Sequence, residues 1–240
     1  MGATSTLLEQ LLAEANIESA WDWLCRQRRH FPADADVWDV RFHKVERLAQ
    51  LVQAIRQGRF TFTPAYRIEK CDGESLVVWS ATDALVQKML AQVLAGLLPV
   101  HPACAHLKGH GGHKASVNRV QGWLATRQFG FVCRTDIRGY YAHINPAQLL
   151  AQLTRHIDCG IVRGLLAQYL HYCVEFGGTF HTPRQGICRG SPLSPLMAGF
   201  QLHEVDCFFA DQPHLRYSRF MDDFFSWPRP AGSCVLRWRL

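Results

Sequence analysis

The 240-residue sequence has nine cysteines, an odd number, and no two of them form a Cys-x-x-Cys pair. That argues against a disulfide framework and for a reduced, cytoplasmic setting. It also lacks a basic segment followed by an apolar core and cleavage site at the start, so no secretory leader is expected. Its longest uncharged run, Met89–Leu107, is interrupted by Gln92, Pro99, His101, Pro102 and His106. Such a run makes a poor membrane span, and no membrane partner is expected. Only 19% of residues are charged, against 48% hydrophobic, which excludes a disordered or low-complexity chain and leaves room for a large core. The most telling absence is of acid: no Asp or Glu occurs from Ala84 to Thr135.

That acid-free stretch carries Lys88, Lys108, Lys114, Arg119, Arg127 and Arg134, together with His101, His106, His110 and His113. Residues 1–83 hold 10 Lys+Arg against 12 Asp+Glu, whereas residues 84–240 hold 16 against 8. A segment with one sign of charge suits a polyanion, and equally a plain solvated basic face. Apolar periodicity predicts helices over 6–15, 17–29, 45–57, 82–98, 116–128, 161–176 and 194–209. Asn145-Pro146-Ala147-Gln148 combines an N-cap, a proline at the first helical position and a capping glutamine, so a helix starts there. Strands are expected at 60–68 and 76–79 around Asp72-Gly73, at 130–136, and at 215–221 and 224–227 around Asp222-Asp223. The segment 30–40 reads as loop.

Three sequence pieces carry chemistry. Gly130–Asp136 is a short apolar strand that delivers Asp136 at its end, in the run Arg134-Thr135-Asp136-Ile137-Arg138-Gly139-Tyr140-Tyr141. Gln185-Gly186-Ile187-Cys188-Arg189-Gly190-Ser191-Pro192 is a glycine-rich loop leading into a helix at Ser194-Pro195. Its glycines allow close backbone approach, and Arg189 with the helix start offers positive potential for phosphate. Phe220-Met221-Asp222-Asp223-Phe224-Phe225 sets two adjacent carboxylates between apolar strands. Like charges this close repel unless a cation intervenes, and a merely solvated turn has no need of four large apolar neighbours. Each piece alone has an ordinary structural explanation.

In this order the three resemble the catalytic motifs of reverse transcriptases: an aspartate followed five residues later by an aromatic, Asp136 and Tyr141; Gln185-Gly186 with Ser191-Pro192; and Phe220-Met221-Asp222-Asp223, with phenylalanine where tyrosine is more common. Upstream, Arg67-Ile68-Glu69-Lys70-Cys71-Asp72-Gly73, then Asp83 and Val86-Gln87, look like the fingers of bacterial retroelement enzymes such as those of group II introns. Leu107–His113 resembles the loop before their palm. The resemblance covers about residues 15–227. It implies an α+β right-hand polymerase fold, with a mainly helical fingers-like lobe over 1–129. A palm-like region over 130–240 carries an antiparallel sheet and a helical excursion near 146–176. It implies an RNA-directed DNA polymerase that adds deoxynucleotides to a primer 3′ end on an RNA template. Two Mg²⁺ ions, with Mn²⁺ as a substitute, would be held by Asp136, Asp222 and Asp223, with the Ile137 carbonyl completing one shell. Tyr141 would exclude a 2′-hydroxyl, Gln185 and Gly186 would meet the incoming nucleotide, and Arg67, Lys70 and Arg189 are candidates for its phosphates.

The sequence departs from that family at two places. Glu74-Ser75-Leu76-Val77-Val78 supplies no basic pair after Asp72-Gly73. Only 17 residues follow Asp223, and Ser226–Leu240 resembles neither a primer grip nor a thumb. The expectation is therefore a truncated enzyme with impaired synthesis, or one whose thumb comes from a separate chain. Two alternatives stand beside it: a non-catalytic nucleic-acid-binding remnant, and a template-independent or defence-associated relative. Cys104, His106, His110 and His113 match no common zinc module, and the interleaved Gly109, Gly111 and Gly112 suit a flexible loop near nucleic acid.

Overall fold

A computed structural model describes residues 6–69, 75–107, 109–127, 129 and 131–228. Lys70, the Asp72-Gly73 turn, Lys108, Gln128, Gly130 and the segment 229–240 lie outside the described residues. The fold is mixed α+β. In chain order it runs α1 (Leu7–Leu11), α2 (Glu14–Gln27), α3 (Asp36–Phe42), α4 (Lys44–Arg56), β1 (Ala65–Glu69), β2 (Ser75–Val78), α5 (Ala81–Leu94), α6 (Gly112–Ala125) and β3 (Cys133–Asp136). It continues through α7 (Tyr140–His143), α8 (Pro146–Leu153), α9 (Gly160–Leu170), β4 (Val174–Phe176), β5 (Thr179–His181), α10 (Ser194–Gln201), α11 (His203–Ala210), β6 (Leu215–Phe220) and β7 (Asp223–Pro228). No described helix is long and apolar enough to cross a membrane.

The chain forms two compact units that interleave along the sequence: Met1–Leu98 with Gly139–Leu196, and Pro99–Arg138 with Met197–Leu240. The first is built around α5. Ala84, Leu85, Val86, Met89, Leu90 and Leu94 are all buried, as are Asp83 and Gln87, so this helix is covered nearly all round, as a central helix is. Its start is fixed by Ser80, whose hydroxyl accepts from the Asp83 amide at 3.1 Å. α1, α2 and α3 pack on it. Asp83 is itself buried and accepts from the Thr63 amide and hydroxyl. Burial pushes its carboxyl above the usual range, against the opposing pull of those hydrogen bonds. The same unit holds a four-stranded sheet in the order β2-β1-β4-β5, with β1 antiparallel to β2 and parallel to β4.

The second unit holds a three-stranded antiparallel sheet in the order β3-β7-β6. One face of β6 and β7 presents Tyr217, Arg219, Phe224 and Ser226, all buried, and α11 packs against β6. The other face presents Ser218, Phe220 and Phe225. There the Ser116 hydroxyl of α6 lies 3.3 Å from that of Ser218, and the Trp123 ring meets Trp227 at 5.2 Å.

Four local expectations change. The segment read as loop contains α3, because Asp36 pairs with Arg28 at 3.2 Å and accepts from the Ala81 amide while Val37 is fully buried. The helix expected to reach Phe176 stops at Leu170. Val174–Phe176 instead turns through Gly177-Gly178 into β5, and the Ala65 amide bonds the Cys173 carbonyl to recruit β4 beside β1. The helix expected over 194–209 is two helices meeting at Leu202. The last hairpin turns at Met221-Asp222, because Phe220 pairs with Asp223.

Candidate metal and nucleotide site

The hairpin register decides where the acids go. Asp136, the last residue of β3, is paired with Asp223, the first of β7. The Ile137 amide donates to the Asp222 carbonyl at 3.3 Å. That bond, one residue beyond the pair on each strand, makes Asp136–Asp223 a non-hydrogen-bonded pair. In such pairs the Cα atoms lie about 4.5 Å apart and both side chains leave the same face. Asp222 occupies the turn. Its neighbour Met221 has φ +55°, a left-handed value that β-hairpin turns demand and that glycine or asparagine usually supplies.

Two carboxylates directly opposite on one sheet face repel. The structure answers with Arg134, two residues before Asp136 and therefore on the same face. Its Nε lies 2.9 Å from Asp223 Oδ1 and its Nη2 3.3 Å from Oδ2. The guanidinium also lies over the Phe225 ring, 5.5 Å from its centre. The hydrogen bond and charge of Asp223 hold the Arg134 pKa above its ordinary value. Arg134 was visible in the sequence only as one of several basic residues; the two-residue period of a strand was the signal that could have placed it beside Asp136.

These donors fit Mg²⁺ as proteins commonly bind it, through one or two carboxylates with the remaining ligands from water and substrate phosphate. Asp136 is exposed, Asp222 and Asp223 are half-buried, and all are hard oxygen donors. They do not fit a closed, all-protein cage. Among the described residues no three His, Cys, Asp or Glu side chains are grouped to hold a metal ion, and Asp223 is engaged by Arg134.

The other predicted site residues fall in the first unit. The Gly186 amide bonds the Ile144 carbonyl at 2.8 Å, the Ile187 amide bonds the Tyr141 carbonyl at 2.9 Å, and Gln185 Nε2 donates to the His143 carbonyl at 3.3 Å. The structure thus brings Tyr141, Gln185 and Gly186 together. Gly186 has φ +91°, and a Cβ there would sit 3.0 Å from Ala142 Cα and from the Tyr141 and Ala142 carbonyl oxygens. A side chain there is strained on both counts. At Gly190 a Cβ would meet the Val77 carbonyl oxygen at 2.7 Å, so the loop lies against β2.

Tyr141 is only 9% exposed, its ring edge-on to Tyr140. Gln185 and Arg189 are exposed. Arg67 pairs with Glu69 at 3.3 Å and lies over the Phe176 ring. The Ser-Pro elements are structural: Ser191 Oγ accepts from the Leu193 amide at 3.0 Å, and Ser194, fully buried, meets the Tyr169 hydroxyl at 3.0 Å and the Cys188 carbonyl.

In the second unit, Cys104 is buried, its thiol pushed up to about 11 by burial, and it lies 3.4 Å from His106 Nδ1. His110 Nδ1 lies 3.0 Å from the Cys104 carbonyl. These contacts are internal to the loop. A cavity of about 580 Å³ lies between α6 and the sheet, lined by Val117, Val120, Leu124, Phe131, Phe225 and Asp223.

No protein-family model and no curated protein matches the sequence. Solved structures do match in fold. A chain of a "Partial Cas6-RT-Cas1--Cas2 complex" superposes with a TM-score of 0.58 at 21% identity over 94% of this chain, which spans 38% of that chain. A chain of a "Cas6-RT-Cas1--Cas2 complex" gives the same score and identity over 94% of this chain, here spanning 24% of the other. The present chain thus spans well under half the length of either, and what it shares with that part is a fold.

Proposed function

We propose that this chain is the catalytic core of an RNA-directed DNA polymerase. The observation that carries the reading is the facing of Asp136 and Asp223 across β3 and β7, with Asp222 in the adjoining turn. Asp136 and the adjacent Asp222-Asp223 pair, 86 residues apart in sequence, lie at one end of one sheet, in a fold similar to that of chains from RT-containing complexes. A pair of divalent cations, Mg²⁺ by the chemistry of the donors, would supply activation of the primer 3′ oxygen and stabilisation of the leaving pyrophosphate. Asp136 and Asp222 would hold them, with Asp223 and the Ile137 carbonyl contributing. Tyr141 would screen the sugar 2′ position, and Gln185 and Gly186 would orient the incoming deoxynucleotide. Arg67, Arg189 and Lys70 remain the candidates for its phosphates. In this reading the lobe built on α5 serves as fingers and the β3-β7-β6 sheet as palm. The solved neighbours are multi-protein complexes by their titles, which makes a partner chain a natural companion for this one.

One observation favours a second reading, a nucleic-acid-binding protein without catalysis. The Arg134 guanidinium already takes both oxygens of Asp223. Primer extension decides between them. With an RNA template, DNA primer, deoxynucleotides and Mg²⁺, the full chain is expected to add nucleotides, and Asp222→Asn is expected to abolish addition. Template binding that survives in a chain with no Mg²⁺-dependent addition would establish the second reading. Addition without any template would point to a template-independent relative.

A further inference from the structure

The turn that carries Asp222 is held at both ends of one residue. The Met221 amide donates to His106 Nδ1 at 3.1 Å, and the Met221 carbonyl accepts from Arg219 Nη1 at 2.7 Å. A backbone amide can only donate, so His106 Nδ1 must be an acceptor and its proton sits on Nε2. Each clamp residue is itself fixed. His106 follows a segment laid parallel to β6, in which the Arg219 amide bonds the Ala103 carbonyl and the Ala105 amide bonds the Arg219 carbonyl, both at 2.8 Å. Its ring lies edge-on to Phe220. Arg219 is fully buried, gripped by Asp206 through Nε at 2.7 Å and Nη2 at 2.6 Å, and its Nη2 also reaches the Gly199 carbonyl at 3.2 Å.

The clamped residue is the one that needs clamping. Met221 is one of two described residues other than glycine with positive φ, and an L side chain disfavours that conformation. Such a conformation persists only where its surroundings over-determine it. Here the surroundings are two side chains from different parts of the chain, aimed at the two polar groups of a single residue.

We propose that His106 and Arg219 are positioning residues that hold Met221 left-handed and so aim the Asp222 carboxylate. The proposal rests on the polymerase reading for its catalytic consequence, and on the hairpin alone for its structural one. Neither residue touches substrate; both act through the turn.

The test uses the full chain with His106→Phe, which keeps a ring and removes the acceptor, and His106→Asn, which restores an acceptor. Hydrogen exchange at the Met221 amide is expected to quicken about tenfold in His106→Phe, while β6 ladder amides such as Ser218 keep their rates. His106→Asn is expected to return the Met221 rate toward that of the parent. In primer extension, His106→Phe should lower kcat while the KM for deoxynucleotide stays within about twofold, because the lost interaction matters to the reacting geometry and not to substrate capture. Met221→Gly supplies the decisive arm. Glycine adopts this φ without help, so the double variant His106→Phe/Met221→Gly should recover much of the lost kcat. Unchanged exchange at Met221 would overturn the proposal, as would failure of both Asn and the glycine suppressor to restore a folded His106→Phe protein. If the parent chain adds no nucleotides, the polymerase reading fails, and the exchange measurements still decide the clamp.

Discussion

Removing the Asp206 carboxylate should be among the most damaging single changes in the second unit. Asp206 and Arg219 are both 0% exposed, and the carboxylate meets the guanidinium through two bonds of 2.6 and 2.7 Å. The Tyr217 hydroxyl donates a third, at 2.7 Å. Burial opposes the Arg219 cation, but the hydrogen bond and charge of Asp206 outweigh it and hold its pKa above the ordinary value. Asp206→Ala strands a buried positive charge and a buried phenol together. Breaking a buried pair from one side costs about 3–5 kcal/mol. Replacing both partners by apolar residues should cost much less, since desolvation of the pair offsets most of its attraction. Here Asp206→Leu with Arg219→Met should still lose something, because the Met221 and Gly199 carbonyls give up their donor and the Tyr217 hydroxyl its acceptor, at about 1–3 kcal/mol for groups left unpaired. Urea denaturation of the parent, both single variants and the double would yield the coupling directly. A loss below about 1 kcal/mol in Asp206→Ala would refute the reasoning, since that is the range of an exposed pair.

Three further outcomes are expected. The Gln87 amide is fully buried, and among the described residues neither its oxygen nor its nitrogen has a hydrogen-bond partner, so Gln87→Met should raise stability by about 1–3 kcal/mol, read from the denaturation midpoint. His101 has its pKa lowered by burial, against a smaller opposing pull from Asp206, and its Nδ1 accepts from the Ala103 amide at 3.1 Å. A lowered folded pKa means the unfolded chain takes the proton first. Its contribution is therefore present above the unfolded value of about 6.5 and is lost as pH falls through the lower folded one. His101→Gln should flatten the acid limb of a stability–pH curve. Gly186→Ala should cost at least about 1 kcal/mol, from positive φ and the Ala142 and Tyr141 contacts, and should raise the deoxynucleotide KM if Gln185 and Tyr141 orient substrate.

Motif order in the sequence singled out Asp136, Asp222 and Asp223 as candidates, but not the register that sets Asp136 opposite Asp223. Placing the turn at Met221-Asp222 instead of Asp222-Asp223 is a shift of one residue, and in a sheet one residue exchanges faces. Only the observed register sets Asp223 opposite Asp136 and within reach of Arg134. The helix α5 was readable because a long apolar segment with a serine cap has few alternatives. The strand β4 was not, because its three residues are held between β5, just past the Gly177-Gly178 turn, and a β1 neighbour more than a hundred positions away. Arg219 reads in sequence as an ordinary basic residue on a strand. Its partner Asp206 lies on a helix 13 residues earlier, and nothing local announces that both are buried. Likewise His106 belonged to a visible histidine cluster, yet its role depends on a backbone amide 115 residues away.

The proposed polymerase chemistry depends most directly on the carboxylates holding a divalent ion. Titration of the full chain with Mn²⁺ alone, with free ion counted by electron paramagnetic resonance, measures this without requiring catalysis. The account predicts saturable binding that Mg²⁺ displaces, weakened about tenfold or more in both Asp136→Asn and Asp222→Asn, since each removes a charged oxygen ligand. Binding that is equally strong in the parent and in both variants would contradict it.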